Sequence, residues 1–412
     1  MKKAIIKVFL GNMAGAGLGF LLSVFLARFL SIGNYGKINF VFSLVIILST
    51  ILDLGFSNAS VVIHNRFKDK AGDNALFATN RAFAFMVIFS SPLLVAAIYA
   101  VALFYSLTIT EAVVIFVATW TYIIFRYVLI LAQARSEWDR YNTFSILNSV
   151  FRLAFIMLFG IILVYWLKLM ASYVSFLYGY AAASIFMCLL VVYSFRKDLK
   201  FSMFDDPDAK ATLKNIITHV GLANVFIIIT MRADSLIILK YLGSAKLGVY
   251  AAASTLVLVF PLITNSITNV AIKEAAGQEG KQFLSRIMRS QVRFLPLLFV
   301  LVVPSFFLSK PLILLFFGAR FLETVNVFRI LLVAFIGGIF FTPLESYFYA
   351  NRQIEIFRLK FIEMVTFVSL SLLLIRRLDI YGVALSAVAT KLVGWSVLLM
   401  KVRREATANQ GA

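Results

Sequence analysis

The sequence predicts an all-α polytopic membrane protein of about twelve transmembrane helices, arranged as two pseudo-symmetric six-helix lobes. Three observations predict it. The chain of 412 residues is 62% apolar and only 14% charged, whereas a soluble domain is about half apolar and a quarter charged. Apolar runs of the roughly 20 residues needed to cross a bilayer follow one another from end to end. The first half of that series is echoed by the second.

The runs fall at 5–30, 38–63, 82–106, 112–134, 143–167, 171–195, 215–241, 247–272, 293–317, 325–349, 357–376 and 380–401. They are taken here as spans 1 to 12. The first opens like a signal peptide, lysines before an apolar stretch, but it is too long for an h-region and no small-residue cleavage site follows. It is expected to be a retained span. Cys188 is the single cysteine, so no internal disulfide and no cysteine metal cluster is expected. Gly11, Gly15, Gly17 and Gly19 in span 1 suit close helix approach or bending.

The gaps between spans alternate in charge. Most of the 39 Lys and Arg fall at the N-terminus, in every second gap and at the C-terminus. The positive-inside rule then puts both termini in the cytoplasm and leaves only short outer loops. It also accounts for much of the net charge of +20, which in a soluble chain would point to nucleic acid; no nucleic-acid partner is expected. In the middle inner gap, Asp206 before Pro207 is a helix-start signal. That segment and "KQFLSRIMRSQVRF" (281–294) read either as basic amphipathic helices on the inner surface or as solvated charged loops.

The echo is clearest between "FLSIGNYGKINFVFSLVI" (29–46) and "YLGSAKLGVYAAASTLVL" (241–258). Gly36 aligns with Gly248, an offset of 212 residues that also pairs Leu30 with Leu242, Arg28 with Lys240 and Asp53 with Asn265. With six spans per copy, both copies enter the membrane in the same direction, a parallel repeat about an axis along the membrane normal. The expected organisation is an N-terminal lobe 1–200, a cytoplasmic connector 201–214, a C-terminal lobe 215–404 and a tail 405–412. Two such lobes with a cleft between them suit alternating access.

The stretch "ARFLSIGNYGKINFVFSLVIILSTILDLGFSNASVV" resembles the opening of the Wzx-type polysaccharide repeat-unit flippases, with a G-x-x-x-Y-G-like turn at Ile32–Gly36 and "DLG" at Asp53–Gly55. Ile32 and Gly33 stand where that family often has Gly-Pro. "LKYLGSAKLGVYAAASTLVLVFPLI", "FGARFLETVNVFRIL" and "IYGVALSAVATKLVGW" resemble its later segments. The resemblance implies a V-shaped transporter of the superfamily that includes multidrug exporters and the lipid II flippase. It implies a polyprenyl-pyrophosphate-linked oligosaccharide as substrate, carried to the outer leaflet of the bacterial inner membrane for O-antigen or capsule synthesis. The implied partners are membrane lipids, a polysaccharide polymerase and a chain-length regulator, with the protein itself a monomer.

Intramembrane ionisable residues are costly and are the first functional candidates. Arg126 and Arg152 sit at similar expected depths on adjacent spans and suit a forked grip on phosphate oxygens, or else snorkel to the inner interface. Arg232 and Asp234, two apart, point to nearly opposite helix faces and so do not simply neutralise each other. Arg232 is the third expected cavity cation, with Arg28 and Asn265 as further substrate contacts. Asp53 at the middle of span 2, Asp234 and Lys391 form either a proton or sodium coupling set or structural pairs. Glu345 and Glu363 read as interfacial, His64 and His219 as bordering groups. No cofactor and no metal is expected, and with no P-loop and no HExxH the chain offers neither an ATPase nor a zinc hydrolase. It is expected not to be an enzyme. The rival reading is a drug antiporter of the same superfamily, which needs an acidic cavity where this chain places mostly basic charge.

Overall fold

In the computed structural model the described residues are 2–71, 74–163, 173–201, 206–258, 302–336, 341, 344–345, 348 and 353–408. Among them every element is helical: α1 (Lys2–Phe29), α2 (Ile32–Asp53), α3 (Phe56–Ala71), α4 (Asn74–Tyr105), α5 (Ile109–Ala134), α6 (Trp138–Ile161), α7 (Val174–Ser194), α8 (Pro207–Ile216), α9 (Leu222–Val257), α10 (Ser309–Phe316), α11 (Thr324–Ile336) and α12 (Gln353–Ala408). A π-helical turn, Ile217–Gly221, joins α8 to α9.

Seven of these helices are long and apolar enough to cross a membrane. Two of them, Lys210–Val257 and Ile354–Val402, run to 48 and 49 residues, about 70 Å at ~1.5 Å per residue and over twice a bilayer's core. Each is broken, at Gly243 (φ 84°) and at Asp379 (φ 55°), so neither is one continuous crossing. The breaks fall in the gaps "LGSAK" and "RRLD" expected from sequence. Phe89, Leu93, Leu103, Leu189 and Phe307 are each more than 60% exposed. So many bare apolar side chains demand lipid as their solvent. The protein is a multi-pass membrane protein.

The chain forms two compact units: Met1–Leu22 with Phe40–Ile228, and Ser23–Asn39 with Ile229–Ala412. In the first, α7 packs along α5 and α6, and α3 packs on α5 and α8. Its core holds Leu76, Tyr127 and Phe195, all buried, with Phe83 stacked on Tyr127 at 3.6 Å between ring centroids. Asn80 sits on that ring: its amide donates to the carbonyls of Asp198 and Lys200, both at 2.9 Å, and its Oδ1 accepts from the Tyr127 hydroxyl at 2.8 Å. At the opposite end of α5, Thr108 and Glu111 form a capping box, and Tyr173 donates to the other Glu111 oxygen at 2.8 Å. Asp206 accepts from the Asp208 N–H at 2.8 Å and so starts α8, as its place before Pro207 predicts.

One expected span is corrected. Residues 38–63 are not one helix: α2 stops at Asp53, Leu54 and Gly55 turn left-handed (φ 43° and 76°), and α3 restarts at Phe56. The break fits because Gly221 comes against it; a Cβ at Gly221 would lie 1.9 Å from the Leu54 carbonyl oxygen. Gly11 and Gly15 face Asn142 and Ser149 of α6 at close range, whereas Gly17 and Gly19 have nothing within 4 Å.

In the second unit the internal repeat becomes a physical contact. A Cβ on Gly36 would lie 2.0 Å from the Ser244 carbonyl oxygen, and one on Gly248 would lie 2.2 Å from the Ile32 carbonyl oxygen. The 212-residue offset turns Gly36 into Gly248 and Ile32 into Ser244, so each hairpin makes on the other the contact it receives. Beside this crossing Thr255 donates to the Ala251 carbonyl at 2.8 Å, which leaves it to accept from Ser23 at 3.2 Å, and Ser23 to accept from the Tyr35 hydroxyl at 2.6 Å. Lys246 ties the turns of this unit by bonding Glu323 at 2.6 Å and Asp379 at 2.8 Å.

Candidate functional site

The first unit gathers an arginine–tyrosine cluster from four of its helices. α5 places Tyr122 and Arg126 four residues apart, hence on one face. α6 contributes Tyr141 and Arg152, and α7, packed on both, contributes Tyr180. α2 adds Phe42. The Arg152 guanidinium lies over the Phe42 ring at 4.5 Å and the Tyr180 ring at 5.0 Å, and the two rings are 4.6 Å apart. Stacking on aromatic faces fixes the guanidinium plane while leaving its N–H edge available. The Arg152 Nε is buried and has no hydrogen-bond partner.

Arg126 is the electrostatic neighbour of Tyr141, Arg152 that of Tyr180, and Tyr122 stands near both tyrosines. No carboxylate is among those neighbours. A cation in an apolar helix bundle is expensive, and two of them near tyrosines, with no acid beside those tyrosines among the described residues, offer a candidate site for an oxyanion. Arg126 stands eight residues before the end of α5, and Arg152 fourteen residues after the start of α6, because that helix begins at Trp138 and not near residue 143. The tyrosines were missed in the sequence; the signal for them is the helical spacing 122/126 and 141/152.

The other candidates are placed elsewhere. Arg28 donates from Nε to the Phe316 carbonyl at 2.9 Å and from its Nη2 to the carbonyls of Leu314 and Leu315. It caps the C-terminal end of α10, where carbonyls lack helical partners, and Arg320 returns a bond to the Arg28 carbonyl at 3.0 Å. Asp234 accepts from Ser235 N at 2.6 Å and Ser235 Oγ at 3.1 Å, and it bonds the Tyr250 hydroxyl. Arg232 is close enough to act on Asp234 electrostatically. Asp53 is 3% exposed and ends α2; its Oδ1 accepts from Ser57 N at 3.2 Å and Ser57 Oγ at 2.6 Å. It sits at the helix break, not in a continuous helix as expected.

Lys391 is the electrostatic partner of Glu363, which also bonds the buried Lys360 at 3.1 Å, and Lys360 bonds Glu345 at 3.0 Å. These four form a charge-balanced buried network. His64 is buried on α3, and His219 lies in the π turn beside the Asn215 carbonyl at 3.1 Å. Asn265 and the stretch 281–294 lie outside the described residues. Among the described residues no group of His, Cys, Asp and Glu is placed to hold a metal.

Comparison with solved structures gives a lipid II flippase, MurJ, in an inward closed conformation, with a TM-score of 0.75 at 15% identity, over 96% of this chain and 87% of that one. An inward-facing multidrug resistance MATE family transporter of the MOP superfamily gives 0.70 at 12%, over 98% and 99%. An outward-facing one gives 0.70 at 14%, over 100% and 97%. These share the all-helical fold of this chain. A comparison with curated proteins gives no match. The family model described as "Polysaccharide biosynthesis protein" matches residues 1–272, two-thirds of the chain, and so this chain belongs to the polysaccharide biosynthesis protein family.

Proposed function

We propose that the protein is a flippase for polyprenyl-pyrophosphate-linked oligosaccharide repeat units. It carries them from the inner to the outer leaflet of the inner membrane for O-antigen or capsule synthesis, by alternating access coupled to a proton or sodium gradient, with both termini cytoplasmic. The observation that carries this reading is the acid-free cluster of Arg126, Arg152 and three tyrosines inside an apolar bundle. A pyrophosphate is doubly anionic and accepts from forked donors; the polyprenol needs only lipid. Family membership supports the biosynthetic setting, and the likeness of fold to a lipid II flippase supports the substrate class.

The multidrug transporters that share the fold suggest a cationic drug as rival cargo. Two arginines, one of them stacked on rings, repel it. The test is reconstitution in vesicles with a fluorescent lipid-linked oligosaccharide. Leaflet exchange that is lost in Arg126→Ala and Arg152→Ala is expected. No exchange under either ion gradient, or export of cationic dyes in its place, would sink the flippase reading.

A further inference from the structure

On α6 the polar residues Tyr141, Ser145, Asn148 and Arg152 recur at spacings of four, three and four, which is one face of a helix. That face is not the one packed on α1, because Asn142 and Ser149 are the residues that meet Gly11 and Gly15. Tyr122 of α5 and Tyr180 of α7 stand on the same side as the stripe, since Arg152 lies over Tyr180 and Tyr122 neighbours both Tyr141 and Tyr180. Among the described residues, none of the three hydroxyls, nor the Asn148 side-chain amide, has a hydrogen-bond partner. Tyr122, Tyr141 and Asn148 are half-buried and Tyr180 is buried, and the Arg152 Nε beside Tyr180 is a buried donor without a partner among the described residues.

A polar stripe in a membrane helix costs free energy unless something answers it. The arginines account for a phosphate. They do not account for neutral donors and acceptors set along three turns of α6, about 16 Å at ~1.5 Å per residue, which is longer than a pyrophosphate. Hydroxyl and amide groups beside aromatic rings match a sugar, whose hydroxyls exchange hydrogen bonds and whose C–H faces lie on rings.

We propose that Tyr122, Tyr141, Tyr180 and Asn148 form a glycan-binding rail that holds the sugars next to the pyrophosphate while Arg126 and Arg152 hold the phosphates. The rail rests on the flippase reading and deepens it: the site selects a glycosylated lipid over the bare carrier.

Two probes test it with the full-length protein in nanodiscs: undecaprenyl pyrophosphate, and the glycosylated lipid that accumulates in cells lacking the protein. Wild-type protein is expected to bind the second more tightly. Tyr122→Phe with Tyr180→Phe, and Asn148→Ala separately, are expected to weaken the glycosylated lipid by about tenfold or more and to leave undecaprenyl pyrophosphate unchanged. Each Tyr→Phe change removes one oxygen, and thermal unfolding of each variant checks that the fold is kept. Equal weakening of both lipids, no weakening of either, or no preference in the wild type overturns the rail. Arg126→Ala with Arg152→Ala is expected to weaken both lipids; if it changes neither, the anion site of the flippase reading fails, whatever the tyrosines do.

Discussion

Asn80 shows what one buried amide does in this protein. It answers two carbonyls after α7 and the Tyr127 hydroxyl at once. Asn80→Ala takes the donor from both carbonyls and leaves the Tyr127 hydroxyl only Thr79 at 3.5 Å, at a cost of about 1–3 kcal/mol, and is expected to lower the unfolding temperature in detergent clearly. Asp53 has a different duty. Its carboxylate takes the Ser57 N–H that the start of α3 leaves open, as a helix cap does. Asp53→Ala is therefore expected to lose about 1–2 kcal/mol, while Asp53→Asn keeps an acceptor and most of the stability. Transport by the Asn variant separates the two roles left open by the sequence: undiminished gradient-driven exchange identifies Asp53 as a cap, and exchange that no longer follows the gradient identifies it as the coupling acid. For Arg152, charge alone does not do the work, since the guanidinium lies on two rings. Arg152→Lys keeps the charge and loses the planar fork, so substrate affinity in that variant is expected to fall nearly as far as in Arg152→Ala.

Elements differ in how far the sequence discloses them. Helix ends in α9 and α12 were legible because polar turns interrupt long apolar runs, and Gly243 and Asp379 carry the left-handed backbone there. The break between α2 and α3 was not legible. Leu54 is apolar and sits at φ 43°, a conformation a branched side chain adopts only when tertiary packing enforces it. The enforcing partner, Gly221, is more than 160 residues away in the chain. Gly221→Ala puts a methyl 1.9 Å from the Leu54 carbonyl, so the break must move. That variant is expected to lose stability by about 1–3 kcal/mol, as overpacking does, whereas Gly17→Ala, with nothing within 4 Å, is expected to leave it unchanged. The site was half legible for a related reason. Arginines in apolar runs stand out in any sequence, but tyrosines in a membrane chain look like lipid-facing aromatics until the packing of α5, α6 and α7 brings three of them beside the two cations. The early start of α6 at Trp138 likewise sets Arg152 further along its helix than the apolar run alone suggests.

At the scale of the whole molecule the internal repeat has two readings: a relic of duplication, or a working joint. The contact at Gly36 and Gly248 favours the joint. Equivalent residues of the two hairpins meet each other, as they do on a pseudo-two-fold axis. The tip Ser23–Asn39 of the first hairpin clusters with the second unit, while the rest of α1 and α2 clusters with the first. Both helices therefore have residues in each unit, and a transport cycle that needs movement at this crossing either bends these helices or parts the hairpins at the glycines. A disulfide tests which. A Cβ on Gly33 would lie 3.1 Å from the Ser244 Oγ, within the reach of a disulfide, and Cys188 is the single native cysteine, so a Cys188→Ser background removes competing thiols. Gly33→Cys with Ser244→Cys is expected to cross-link on mild oxidation. If the hairpins must part in each cycle, the oxidised protein retains lipid binding, loses transport by about tenfold or more, and recovers it on reduction. Transport at the wild-type rate with the bond intact would show that the crossing stays shut, and that α1 and α2 bend instead.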